Sequence, residues 1–170
     1  MAAVNYKLIK NFFSKEELNV YQRYCYNKLD ANRDYEIDIQ SFSSAWYDDS
    51  LMNALLNTKL SIVEKESNLE LFPTYAYWRY YIFGGTLKKH VDRPSCEISV
   101  TACIKKYDNW PIVVEKTSFE IEEGCDQKHW RPGIYKGEGM AQVFLHYVNK
   151  KGPFTHHAYD NYFKTTGKRK

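Results

Sequence analysis

Residues 79–94 read Arg79-Tyr80-Tyr81-Ile82-Phe83-Gly84-Gly85-Thr86-Leu87-Lys88-Lys89-His90-Val91-Asp92-Arg93-Pro94. The aromatic run from Tyr75 to Phe83 is β-prone, and Gly84-Gly85 ends it. The stretch that follows carries His90 and Asp92 two residues apart. On a strand, residues i and i+2 project to the same face, so imidazole and carboxylate converge on one point. One further histidine from elsewhere completes a two-histidine, one-carboxylate set. Such a set leaves three coordination positions open and suits non-haem Fe(II). The other histidines are His129, His146, His156 and His157. His156-His157 sits in the C-terminal segment, where histidines are usually solvent-exposed. His-x-Asp alone also describes an ordinary surface pair.

Working outward, the downstream chain reads as short strands. Cys96–Ile104, Trp110–Val114, Phe119–Glu122 and Gln142–Val148 are separated by polar turns and by Gly124. Turns every 8–12 residues predict a sandwich or jelly roll. Upstream, Ser14-Lys15-Glu16-Glu17 is a capping box, and Leu18, Tyr21, Cys25 and Leu29 follow at helical spacing. Asp48-Asp49-Ser50 opens a second helix that runs to Ser67-Asn68. Helices placed before strands, rather than alternating with them, argue against a doubly wound sheet. The expectation from these patterns is a mainly β fold with N-terminal helices and a sandwich or jelly-roll core. It forms one domain over 1–170, with helical support in 1–70, the core in 71–150 and a C-terminal segment and basic tail in 151–170.

Composition narrows the classes. A chain of 170 residues with 44% apolar residues can bury a core without a disulfide or metal staple, and 15 Tyr, 9 Phe and 4 Trp exclude a low-complexity chain. A net charge of +3, partly in the tail Lys168-Arg169-Lys170, argues against a nucleic-acid partner. No run approaches 18 apolar residues, so no membrane span is expected, and the N-terminus shows no secretory signal. Cys25, Cys96, Cys103 and Cys125 form no Cys-x-x-Cys pair and read as reduced, buried thiols of a cytoplasmic protein. Nothing in the sequence fixes an oligomeric state.

Residues 79–94, the continuation Ser95-Cys96-Glu97-Ile98-Ser99-Val100-Thr101, then His129-Trp130-Arg131 and Gln142–Val148 together resemble the 2-oxoglutarate/Fe(II) dioxygenases. The match is to the prolyl-4-hydroxylase-like group of bacteria and phages, and it implies a double-stranded β-helix (jelly roll, cupin-like) core. The resemblance implies Fe(II) held by His90, Asp92 and His129, with His146 as the runner-up for the third ligand. It also implies 2-oxoglutarate as cosubstrate, O₂, and ascorbate as a reductant. The activity implied is hydroxylation of an unactivated C–H bond, with decarboxylation of 2-oxoglutarate to succinate. The implied substrate is a prolyl residue in a peptide or protein, or else a small molecule.

The family places a cation for the distal carboxylate on the strand after the distal histidine, but Ala141–Val148 holds neither Arg nor Lys. Arg131, two residues from His129, takes that role first, then Lys105, then Lys136. Tyr80 stands where the family has a cosubstrate-contacting tyrosine, Gln142 helps hold the cosubstrate, and Thr101 and Ser99 put hydroxyls into the barrel. Arg93 is expected to pair with Glu97 and stiffen the metal loop. Trp110 and Trp130 pack or line the mouth. Loops 31–48 and 83–89 and the segment 149–163 are lid candidates. Two other classes share these features: a non-catalytic jelly-roll binding or structural module, and a cupin-like metalloenzyme without 2-oxoglutarate.

Overall fold

The computed structural model describes residues 6–31, 36–38, 41–115 and 127–160. Helix α1 spans Lys15–Ala31. Its capping box is formed as expected: Glu17 N–H donates to Ser14 Oγ at 3.1 Å, and Ser14 N–H donates to Glu17 Oε2 at 2.8 Å. The stretch expected to be one helix is two, α2 (Ser50–Thr58) and α3 (Leu60–Ser67). Asp49 caps α2 by accepting from Leu51 N–H and Met52 N–H. The break falls at Lys59, whose buried ammonium leaves the helix line to meet Glu17 at 2.8 Å and lies over Phe12 and Phe13. Asn68 at φ 59° ends α3, its N–H bonding Glu64 O.

Among the described residues eight strands follow or interleave: β1 (Glu36–Asp38), β2 (Ser43–Tyr47), β3 (Leu71–Tyr81), β4 (Leu87–His90), β5 (Ile98–Lys106), β6 (Val113–Val114), β7 (His129–Arg131) and β8 (Met140–Asn149). They make two antiparallel sheets, a five-stranded one in the order β1-β2-β3-β8-β5 and a three-stranded one in the order β4-β7-β6. The β1–β2 hairpin lies in the stretch read as a loop. β3 begins four residues before Tyr75 and takes in Pro73 where its register with β8 shifts. The strand expected over 110–114 shrinks to Val113–Val114. The strand expected at Phe119–Glu122, Cys125 and the basic tail lie outside the described residues.

Alternation along β3 and β8 sorts the large sheet into two faces. Trp46, Ala76, Trp78, Ala102, Ile104, Val143 and Leu145 face the helices and join Tyr21, Cys25, Met52, Leu55, Leu56 and Val63 in the main core. Trp46 and Trp78 stack at 3.9 Å with their planes 3° apart, a pair adding about 1 kcal/mol beyond its burial. The opposite face carries residues of the other parity in cross-strand rows. Tyr47, Tyr77, Phe144 and Thr101 form one row, and Ala45, Arg79, Gln142 and Cys103 the next. Tyr77 stacks on Tyr47 and on Phe144, each at 4.7 Å. Cys103 therefore sits exposed on this face, not buried as expected, while Cys25 and Cys96 are buried.

The small sheet lies against this second face. Tyr81, Trp110, Tyr135 and Met140, with Leu87 against them, seal one end. There the Gly84-Gly85 turn is tied to the next loop by Gly84 N–H to Tyr135 O at 2.9 Å and Tyr135 N–H to Gly85 O at 2.8 Å. Gly84 holds φ 87°, and a side chain on Gly85 would stand 3.0 Å from Ile82 O. Among the described residues no helix is long and apolar enough to cross a membrane.

Candidate metal centre

β4 and β7 pair so that His90 and His129 stand directly opposite, with ring centroids 4.3 Å apart. β4 ends at His90, so Asp92 reaches the histidines from the loop after it rather than by strand alternation. Its Oδ1 lies 3.7 Å from His90 Nε2 and 3.9 Å from His129 Nε2. His90 Nδ1 lies 2.7 Å from Lys88 O and His129 Nδ1 3.1 Å from Gln127 O. A carbonyl only accepts, so each Nδ1 carries the proton and donates it. Each Nε2 then holds a bare lone pair toward Asp92. Metal-bound histidines are fixed in this way. Adjacent donors on an octahedral ion with bonds of about 2.1 Å stand roughly 3 Å apart. The three ligand atoms, all within 4.8 Å of one another, fit a mononuclear divalent metal after a small contraction.

His146 is not in this set. It is buried on β8, its ring stacked on Tyr75 at 4.5 Å, and its Nδ1 lies 3.0 Å from Ser99 Oγ. Ser99 Oγ in turn donates to Asp92 Oδ2 at 3.3 Å. Burial first, then the nearby Arg93 and His129, pull the His146 pKa down to about 3. A pKa below the unfolded value of about 6.5 means that the unfolded chain binds the extra proton, so stability falls as pH drops through 6.5. In metal-free protein this single group should remove up to about 1.4 kcal/mol per pH unit between 6.5 and the folded value. Denaturant unfolding at pH 7 and pH 5 should show His146→Gln with the shallower dependence. Equal slopes in the two proteins would refute the assignment.

Arg93 does not pair with Glu97. It lies 4.3 Å over the Tyr75 ring, its Nε donates to Tyr75 Oη at 3.3 Å, and its Nη2 meets Asp160 at 3.4 Å. Glu97 instead accepts from Asn149 N–H at 2.7 Å. The first part of the C-terminal segment expected to form a lid is thus anchored beside the metal loop, with Tyr159 N–H also bonded to Pro73 O at 2.8 Å.

Arg131 comes from the same strand as His129 and enters the space between the sheets. It is 6% exposed. Its Nη2 donates to Gln142 Oε1 at 2.8 Å, its Nη1 donates to Trp110 O, and the guanidinium lies over the Trp110 ring. Its Nε has no partner, and no carboxylate pairs with it among the described residues. Burial pulls its pKa below the ordinary guanidinium value. A buried cation without a counter-ion is costly and marks a place for an anion.

Of the remaining candidates, Gln142 is beside Arg131, and Thr101 lines the same face one row nearer the metal. Tyr80 and Lys105 are not brought there. They line a small pocket with Gln22, Cys25 and Tyr26 on the helix side of the large sheet. Lys136 is exposed. Trp110 is buried and donates to Pro132 O at 2.9 Å, while Trp130 lies under Lys89. The reading of the sequence missed Arg79, buried on the inner face, with Nη1 2.9 Å from Asp38 Oδ2 and 2.8 Å from Ser41 Oγ. Its parity with Tyr75, Tyr77 and Tyr81 was the available signal.

Fold and site together define an antiparallel two-sheet protein with a two-histidine, one-carboxylate cluster between the sheets. No family model and no curated protein matches the sequence. Among solved structures, the chain resembles a crystal structure described as an oxidoreductase of the 2OG-Fe(II) oxygenase family from Burkholderia pseudomallei. The TM-score is 0.61 at 14% identity, covering 83% of this chain and 82% of that one. The likeness is one of fold.

Proposed function

We propose that this protein is an Fe(II)/2-oxoglutarate-dependent dioxygenase whose two sheets form a double-stranded β-helix core. The observation that carries the reading is the convergence of His90, Asp92 and His129 with both Nε2 lone pairs free. His90, Asp92 and His129 would hold Fe(II), and Arg131 with Gln142 would hold the distal carboxylate of 2-oxoglutarate. When bound, the iron and its cosubstrate supply O₂ activation and the oxidation of a C–H bond.

The chain's own residues do the rest. The carbonyls of Lys88 and Gln127 fix the tautomers and ring planes of the two histidines. Ser99 Oγ fixes the Asp92 carboxylate. Tyr77 and Phe144 lie one row from Gln142 and give the cosubstrate an apolar floor that excludes water. Thr101 and Cys103, exposed on edge strand β5, mark the side from which substrate enters. The order of motifs over residues 79–101 supports a prolyl residue of a peptide or protein as the substrate. Ascorbate would serve only as an added reductant.

The test is a thermal shift with Mn(II), with and without 2-oxoglutarate, on the wild type and on His129→Ala. A ligand confined to the folded state adds about 2.7 kcal/mol at a hundredfold excess over its Kd. Stabilisation by 2-oxoglutarate that requires both Mn(II) and His129 is the expected result. A shift with metal alone points to a metalloenzyme without 2-oxoglutarate, and no shift with either points to a binding module.

A further inference from the structure

The short helical turn Pro94–Cys96 before β5 places a second set of donors on the far side of Asp92. Ligand atoms of Asp92, Cys96 and His146 all lie within 4.8 Å of one another, and Cys96 and His146 are each 3% exposed. Asp92 turns its two oxygens to different neighbours: Oδ1 to His90 and His129, Oδ2 to Ser99. The other contact of Ser99 Oγ, Cys96 O at 3.0 Å, can only accept. Its single proton goes to the carboxylate, the stronger acceptor. His146 Nδ1–H therefore donates to Ser99 Oγ, and Nε2 is left with a bare lone pair. That nitrogen is buried and has no hydrogen-bond partner. An unpartnered buried acceptor calls for a ligand.

We propose that Asp92, Cys96 and His146 form a second metal site, taken by a thiophilic divalent cation such as Zn(II), and that Asp92 bridges the two sites through its two oxygens. A thiolate, an imidazole and a carboxylate oxygen are the donors such an ion prefers, and they are softer than the set at the first site. Around a tetrahedral zinc the donors stand about 3.5 Å apart, so separations within 4.8 Å need to close by no more than about 1.3 Å. Binding releases the Cys96 thiol proton to solvent and changes no oxidation state. Tyr75 Oη, 3.1 Å from Cys96 Sγ, then donates to the thiolate, and the Arg93 guanidinium on the Tyr75 ring offsets its charge. The site does not depend on what His90 and His129 bind.

Co(II), titrated into the full chain under reducing conditions, is the probe. A cobalt–thiolate charge-transfer band reports the second site alone, since His90, Asp92 and His129 offer no sulfur. The wild type should bind two equivalents and show the band. Cys96→Ser, or Cys96→Ala if the serine variant misfolds by circular dichroism, should bind one equivalent and lose it. His129→Ala should bind one equivalent and keep it. A folded wild type without the band at saturating Co(II), or a band unchanged by loss of Cys96, overturns the proposal. One equivalent in the wild type with a band that depends on Cys96 upholds this site and removes the first.

Discussion

Asp92→Ala is expected to lose Mn(II)-dependent thermal stabilisation and all 2-oxoglutarate turnover. Oδ1 of this residue is the atom on which His90 and His129 both converge. Altering the outer partners of a metal ligand already costs 10–100-fold in affinity, and removing the ligand itself should cost at least about a hundredfold. At a hundredfold excess of metal over the wild-type Kd, that loss erases at least about 2.3 of the roughly 2.7 kcal/mol of stabilisation. The fold should survive, because Asp92 lies half-buried in a loop and outside both hydrophobic clusters. The variant also removes the bridge to Cys96 and His146, so its Co(II) content should fall below that of either single-site variant. Wild-type Mn(II) stabilisation in Asp92→Ala would refute the metal centre.

Arg131→Ala should raise the 2-oxoglutarate requirement by roughly a hundredfold, since charge-assisted hydrogen bonds to a carboxylate contribute up to about 3 kcal/mol. Arg131 also props Gln142 Oε1 and Trp110 O, so some loss of thermal stability without ligand is expected. The two roles separate in the readout. A structural defect lowers the melting point with and without 2-oxoglutarate alike, whereas loss of the carboxylate partner abolishes the increment that 2-oxoglutarate adds over Mn(II). Arg131→Lys should recover part of that increment, because it keeps the charge but not the fork. An unchanged 2-oxoglutarate requirement in Arg131→Ala would move the assignment to Arg79, the other buried guanidinium on the inner face.

Local signals were easy to read where one element decides them. The Ser14–Glu17 box and the inner parity of Ser99, Thr101 and Gln142 follow from spacing along one segment, whereas His90 and Asp92 do meet but through the loop after β4 and not through the strand alternation that the spacing suggested. Whatever depends on partners distant in sequence was not legible. Lys59 ends α2 because Glu17, 42 residues earlier, takes its ammonium. Arg93 prefers the Tyr75 ring and Asp160 to the nearer Glu97. Tyr80 occupied a suggestive place in the motif, yet its parity with Ala76 and Trp78 sends it to the helix side. The β1–β2 hairpin was missed because its strands are three and five residues long, too short for periodicity to register.

The sheets are unequal, and the unequal division has a dynamic meaning. His90, Asp92 and His129 all belong to the three-stranded sheet or the loop leaving it, whose strands have four, two and three residues. The five-stranded sheet, backed by three helices, is the half that stays shut longest against solvent exchange, while short, thinly covered strands open first. The molecule thus entrusts its reactive groups to the softer half and keeps the stiffer half as an anvil beneath them. Whatever binds between His90 and His129 links the ends of two of the weakest strands, so occupancy and local order rise together. An empty chain would breathe at the place where the occupied one is most firmly held.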